Sequence, residues 1–156
     1  MHGFHGRLLH IDLTTATSIY LEIDSSRLHR CLGGIGLGAD LLYEFAPPGI
    51  DALAPENPLI FASAPLVGTP LTTTAKYAVV TKSPLTGFIA DSLSSSYFAL
   101  ELKRLGVDAL VITGRSPTWM YLAIDCGRIA FREATHLIGK SATETDSLLR
   151  AESKTQ

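Results

Sequence analysis

The residues best suited to chemistry sit in two Ser/Thr-rich loops around one short apolar run. Gly68-Thr-Pro-Leu-Thr-Thr-Thr-Ala-Lys76 precedes the run; Thr81-Lys-Ser-Pro-Leu-Thr-Gly87 and Asp91-Ser-Leu-Ser-Ser-Ser96 follow it. Small hydroxyl side chains, Lys76 and Lys82, and the start of a helix at Tyr97 can converge on one anionic group. Helix N–H groups and the helix dipole favour phosphate at such a place, and a lysine adds a point charge. Ser/Thr loops also occur with no ligand, so composition leaves the anion site and the plain loop both open.

Other motifs carry less. Gly33-Gly-Ile-Gly-Leu-Gly38 has the look of a dinucleotide turn, but it follows a helical segment, Arg27 to Leu32, where that turn must follow a strand. Its glycines read as a helix–helix junction where backbones approach closely. Gly139-Lys140-Ser141 resembles the tail of a P-loop, yet Ala134 stands where the first glycine belongs, so it reads as a helix N-terminus. His2, His5 and His10 crowd one end without a carboxylate at ligand spacing, and Ser63 lies in Ala-Ser-Ala rather than in a nucleophile elbow. No acid–base dyad or triad emerges, so no catalytic residue is assigned. Cys31 and Cys126 have no CxxC partner, which argues against an internal iron–sulfur cluster or a structural zinc.

The elements that must position these loops follow from pattern. Gly6 to Leu13 and Ile19 to Ile23 alternate as a hairpin. Asp24-Ser-Ser caps a helix that carries Leu28 and Leu32 on one face and ends at Gly33-Gly34; a second helix runs from Leu37 to Phe45, before Pro47. Pro58 to Ser63, Tyr77 to Thr81 and Val107 to Thr113 read as buried strands, and Tyr97 to Leu105 as a helix closed by Gly106. Trp119 to Ile124 and Arg128 to Phe131 form a hairpin across Asp125-Cys-Gly127, and a last helix starts at Ser141 with Glu144 completing a capping box. Hairpins at both ends of the pattern favour an α+β class with mixed β-sheets over a doubly wound parallel sheet.

At 156 residues the chain is expected to be one domain, 1–156. A formal charge of −2 offers no field for nucleic acid or an anionic membrane, and no run approaches a spanning helix. The start of the chain lacks the order of a signal peptide, so the chain is read as soluble and cytoplasmic. Charged residues are 18%, against about 25% in an ordinary domain, and mean hydropathy is +0.24. Either the surface is Ser/Thr-rich, or one face rests against another domain, subunit or large cofactor.

Val80-Thr-Lys-Ser-Pro-Leu-Thr-Gly-Phe88, then Tyr97-Phe98 with Glu101-Leu-Lys103, strongly resembles the N-terminal domain of the aldehyde:ferredoxin oxidoreductase family. The likeness runs in order from Gly6-Arg7 through Leu32-Gly33-Gly34, Pro55-Glu56-Asn57, Asp108-Ala109 and Thr113-Gly114 to Gly139-Lys140. The resemblance implies a base of two β-sheets under a tungsten or molybdenum bis-pterin cofactor with magnesium. It implies cofactor contacts at Lys76, Leu93, Ser95 and Ser96, with the main-chain carbonyl of Leu93 toward the magnesium. Lys76 stands where the family usually has arginine, Leu93 where it often has asparagine, and Ser95-Ser96 where it has a glycine pair whose absence of Cβ lets backbone approach the cofactor. The family's 4Fe-4S cluster and acid–base residues lie on later domains, so a partner chain or domain is expected to carry the cluster, and ferredoxin to accept the electrons of the complete enzyme. The implied role is a cofactor platform in aldehyde oxidation to carboxylic acid, inactive as the lone chain. The alternative is a non-catalytic remnant or a small anion- or partner-binding domain that holds no metal.

Overall fold

The computed structural model describes residues 3–125 and 127–153. The chain divides into two compact units, residues 1–116 and 117–156. The class is α+β with mixed sheets.

The first unit is built on six strands: β1 (Arg7–Asp12), β2 (Thr17–Glu22), β3 (Leu59–Ala62), β4 (Lys76–Lys82), β5 (Ile89–Ser95) and β6 (Ala109–Thr113), in the order β2-β1-β6-β3-β4-β5. Only β1 and β6 run parallel, joining residues about a hundred positions apart, such as Leu9 and Leu110. Every other pair is antiparallel. The strands alternate, so Ile60, Ala62, Ala78, Val80 and Val111 all point to one face. There they meet α1 (Ser25–Cys31) and α2 (Gly34–Phe45) through Leu28, Leu37, Leu41 and Leu42.

Two details of that packing depend on glycine. Gly33 has φ 86°, and a Cβ there would lie 2.5 Å from the Ser63 carbonyl oxygen. At Gly38 a Cβ would fall 2.5 Å from Val80 Cγ2, and that valine is buried and rotamer-poor, so α2 sits down on β4. The helix begins at Gly34, three residues before the position read from the sequence, because the close seat on the sheet outweighs the poor helix propensity of glycine. Leu32 differs from expectation as well. It takes a left-handed C-cap with φ 56° and is 64% exposed, off the buried face held by Leu28.

The opposite face of the sheet carries Phe61 and Tyr77. Phe98 of α3 (Tyr97–Arg104) packs on both, with ring centroids 5.4 and 4.9 Å apart. At the far end of α3, Lys103 is buried and bonds Asp108 at 2.7 Å. Asp108 also accepts the amides of His5 and Gly6, and Lys103 donates to the Gly3 carbonyl, so one buried ion pair fixes the start of the chain.

The second unit holds the hairpin β7 (Met120–Asp125) and β8 (Arg128–Glu133), a 3-10 turn at Thr135–Leu137, and α4 (Ala142–Ser153). Cys126, which the sequence reading set between the two strands, lies outside the described residues, as does His2. Among the described residues no helix is long and apolar enough to cross a membrane.

Candidate functional site

The hexapeptide Asp91 to Ser96, read from sequence as a loop, is mostly strand. β5 pairs along its whole length with β4, and Lys76 stands directly opposite Ser95. Serine is a poor strand former, but pairing with a buried neighbour overrides propensity here.

The ladder's phase is fixed at both ends. Ser96 N–H donates to the Ala75 carbonyl at 3.1 Å, and Ser83 N–H to the Phe88 carbonyl at 2.8 Å. Alternation then turns the main chain of Ala90, Ser92 and Ser94 toward β4, and that of Asp91, Leu93 and Ser95 away from it. β5 is the last strand of the sheet, so these outward N–H and C=O groups have no strand partner. The Leu93 carbonyl is one of them. Leu93 and Ser95 lie on the same face as Lys76, because their cross-strand partners are Ala78 and Lys76.

Lys76 is exposed, and its ammonium has no hydrogen-bond or ion-pair partner among the described residues. It lines a cleft of about 650 Å³ with Leu32, Leu71 and Thr72 to Thr74. Two of its walls are in left-handed backbone, Leu32 at φ 56° and Thr73 at φ 62°. For a β-branched threonine that geometry is a true outlier, and such strain gathers at ligand sites. The sequence placed Thr73 in the Gly68–Lys76 loop and Leu32 on a helix face, and marked neither as a wall of a cleft. The Leu-Gly-Gly step hints at a helix end but not at a cleft, and nothing in a run of three threonines marks the middle one.

Ser96 has another task. Its hydroxyl accepts the Phe98 amide at 3.1 Å, and its carbonyl accepts the Ala99 amide at 3.2 Å. The start of α3 therefore satisfies two of its own donors. Its backbone is extended, with φ −165°, which any residue adopts.

The sequence grouped Lys82 with Lys76, and the structure separates them. They occupy opposite ends of a seven-residue strand, about 20 Å apart at ~3.3 Å per residue. Lys82 Nζ donates to the Ile50 carbonyl instead. Ser63, His10 and the Gly139–Ser141 step are structural. Ser63 is buried and its hydroxyl donates to the Asp108 carbonyl at 3.1 Å. His10 shares a 2.8 Å bond with the Thr113 hydroxyl, and burial holds its imidazole below the ordinary range, against an opposing pull from Asp12. Gly139-Lys140-Ser141 opens α4, where Ser141 and Glu144 form the expected capping box.

Known proteins share this architecture. The profile of the family described as "Aldehyde ferredoxin oxidoreductase, N-terminal domain" matches residues 8–156. A tungsten-containing aldehyde ferredoxin oxidoreductase of Pyrococcus furiosus is 41% identical over 97% of this chain, and one of Thermococcus kodakarensis is 40% identical over the same share. The aliphatic sulfonate oxidoreductase WOR-like subunit of Pyrococcus furiosus is 32% identical over 92%. Among solved structures, the active site complex BamBC of benzoyl coenzyme A reductase, in complex with 1,5 dienoyl-CoA, superposes with a TM-score of 0.93 and 36% identity. That match covers 98% of this chain and 23% of the other. The chain spans about a quarter of the length of the curated relatives it matches. Profile, relatives and shared fold agree: the chain belongs to the aldehyde ferredoxin oxidoreductase family, matching its N-terminal domain.

Proposed function

We propose that this chain, taken over 1–156 as one domain, is the cofactor platform of a tungsten or molybdenum bis-pterin oxidoreductase of the cytoplasm. The observation that carries the reading is the outward-facing main chain of Leu93 and Ser95 beside the unpaired Lys76. The donor set fits the group. Phosphate asks for N–H donors and a cation, which the edge and Lys76 offer. Magnesium asks for oxygen ligands, and the Leu93 carbonyl is one. The side chain of Ser95 stands on the sheet face, off the line of the outward amides, so its Cβ leaves the edge open.

When bound, the metal–pterin group supplies the two-electron oxidation of an aldehyde to a carboxylic acid, with electrons leaving through a 4Fe-4S cluster on a partner chain or domain to ferredoxin. The residues of this chain bind and orient. Lys76 neutralises phosphate charge, the β5 edge fixes the register of the ligand, and the Leu32–Thr73 cleft bounds it on one side. Relatives named for aldehydes, for aliphatic sulfonates and for benzoyl coenzyme A share this quarter, which supports a common platform with substrate choice elsewhere. A second reading, a non-catalytic remnant that holds no metal, draws on Ser96, whose hydroxyl takes one donor of α3 out of play.

The test is a chimera in which this chain replaces the matching quarter of the Pyrococcus furiosus relative. Tungsten per polypeptide is then measured by mass spectrometry. The platform reading expects a loaded chimera. It expects Lys76→Ala to weaken retention about ten- to a hundred-fold, as loss of a charge-assisted contact of roughly 1.5–3 kcal/mol requires. Equal retention by both proteins removes the role of Lys76, and a folded chimera without tungsten favours the second reading.

A further inference from the structure

At the other end of the β4–β5 pair the surface changes character. A groove of about 680 Å³ lies between the last turns of α2, the Pro47-Pro48 bend and the β4–β5 turn. Tyr43, Phe45, Pro47, Phe88 and Ile89 line it. Tyr43 is 92% exposed and Phe88 76%, and Leu85, at the tip of the same turn, is 92% exposed.

The turn is held by its own polar groups and needs none of this apolar surface. Gly87 N–H donates to the Ser83 carbonyl at 2.9 Å, and the amides of Leu85 and Thr86 donate to the Ser83 hydroxyl. Turns are ordinarily polar, so a leucine and a phenylalanine presented from a braced turn form a preorganised apolar knob. The groove also offers no free charge. Its two charged side chains are engaged, Lys82 with the Ile50 carbonyl and Glu44 with Arg27. By register, Ile89 continues onto β5 the face that α2 covers on β4, yet it is 49% exposed. The apolar layer is one element short.

We infer that this groove and knob dock an apolar element of the polypeptide that makes up the other three-quarters of the relatives. That length of chain must pack somewhere, and an uncharged groove beside α2 accepts an apolar segment lying alongside that helix. Burial of a leucine and a phenylalanine side chain together makes the knob a substantial anchor. The inference rests on the reading that this chain works with such a polypeptide, and it is independent of Lys76.

Hydroxyl-radical footprinting tests it on the lone chain and on the chimera. Tyr43, Leu85 and Phe88 should be heavily modified in the lone chain and several-fold protected in the chimera. The double variant Leu85→Asp/Phe88→Asp should leave the lone chain monomeric with an unchanged melting temperature, and should abolish the protection of Tyr43 in the chimera. Equal modification in both proteins overturns the inference. So does a lone chain that dimerises with these side chains protected, which would make a second copy the occupant. A double variant that unfolds the lone chain also overturns it, and this arm needs no chimera. Protection of Tyr43, Leu85 and Phe88 in a folded chimera that retains Lys76 yet holds no tungsten would defeat the platform reading and leave the docking surface standing.

Discussion

Lys76 and Lys82 begin and end one strand, each beside a loop rich in small hydroxyls, and the fold uses them in opposite ways. Lys82 closes its end. Its ammonium meets the Ile50 carbonyl, and Asn57 donates to the carbonyls of Ala52 at 2.8 Å and Lys82 at 3.1 Å, stitching the 50–57 segment to the strand. Lys76 meets nothing among the described residues and faces a cleft. A lysine near a carbonyl that has lost its water is part of the structure, whereas one beside an unpaired strand edge is available to a ligand. Neighbours distant in sequence decide which.

The strongest way to sharpen this contrast uses a third lysine, Lys103, whose charge is both engaged and buried. Lys103→Met leaves the Asp108 carboxylate in the interior with only two backbone amides. Breaking a buried pair from one side typically costs roughly 3–5 kcal/mol. Urea unfolding should show a loss of that size, and a loss below about 1 kcal/mol would mean that solvent reaches Asp108.

Next comes the closed end of β4. Asn57→Ala removes two donated bonds and a weaker accepted one, so a loss of about 1–3 kcal/mol is expected. Lys76→Ala should change stability by no more than about 0.5 kcal/mol, as for other surface sites. Equal losses in the two variants, by the same denaturant titration, would erase the distinction between the ends.

The legible parts of the molecule are those whose partners lie nearby in sequence. Asp24 accepts the Ser26 amide at 2.7 Å as its cap position promised, Gly106 takes the positive φ that ends α3, and the alternation of Leu9 and Ile11 marked β1. β5 was illegible because Asp-Ser-Leu-Ser-Ser-Ser has neither apolar period nor β-branched residues. It is a strand because β4 lies beside it. The candidate site divides in the same way. Resemblance picked out Lys76, Leu93, Ser95 and Ser96, but the outward carbonyl of Leu93 follows from hydrogen-bond phase, which no sequence pattern carries. The engagement of Lys82 by Ile50 spans 32 positions and could not be read from either loop.

Ser96 gives a smaller effect at the open end. As the N-cap of α3 its hydroxyl is replaceable by little else, so Ser96→Ala should cost about 1 kcal/mol and Ser96→Gly only a few tenths. If instead both variants destabilise equally in thermal unfolding, the hydroxyl is not the group that matters there.

The mildest contrast lies in the second unit, where an exposed carboxylate, Glu144, and a half-buried one, Glu152, are engaged at the two ends of α4. Glu144 accepts the Ser141 amide at 2.8 Å and the Ser141 hydroxyl at 2.7 Å; the amide bond, then the hydroxyl, hold its carboxyl below the ordinary range against a small desolvation. At the other end Glu152 accepts the Tyr121 hydroxyl at 2.6 Å and meets His136 at 2.7 Å. The tyrosine bond is the largest cause of its lowered pKa; desolvation opposes it, and His136 and Arg132 reinforce it. The sign follows from the depression. A carboxyl whose folded pKa lies below its unfolded value stabilises fully above the unfolded value, near pH 4.3 for glutamate, and loses that contribution as pH falls through the folded one. α4 has no buried residue to hold it otherwise. Its amides should therefore lose hydrogen-exchange protection below about pH 4.3, while β1 and β6, whose buried residues are apolar, keep theirs. Glu144→Gln should lower protection in the first turn at neutral pH and flatten its acid response there, leaving the response at Glu152. Protection of α4 that stays level down to pH 3, about a unit below the glutamate range, would mean that these carboxylates hold the helix no more than bulk water would.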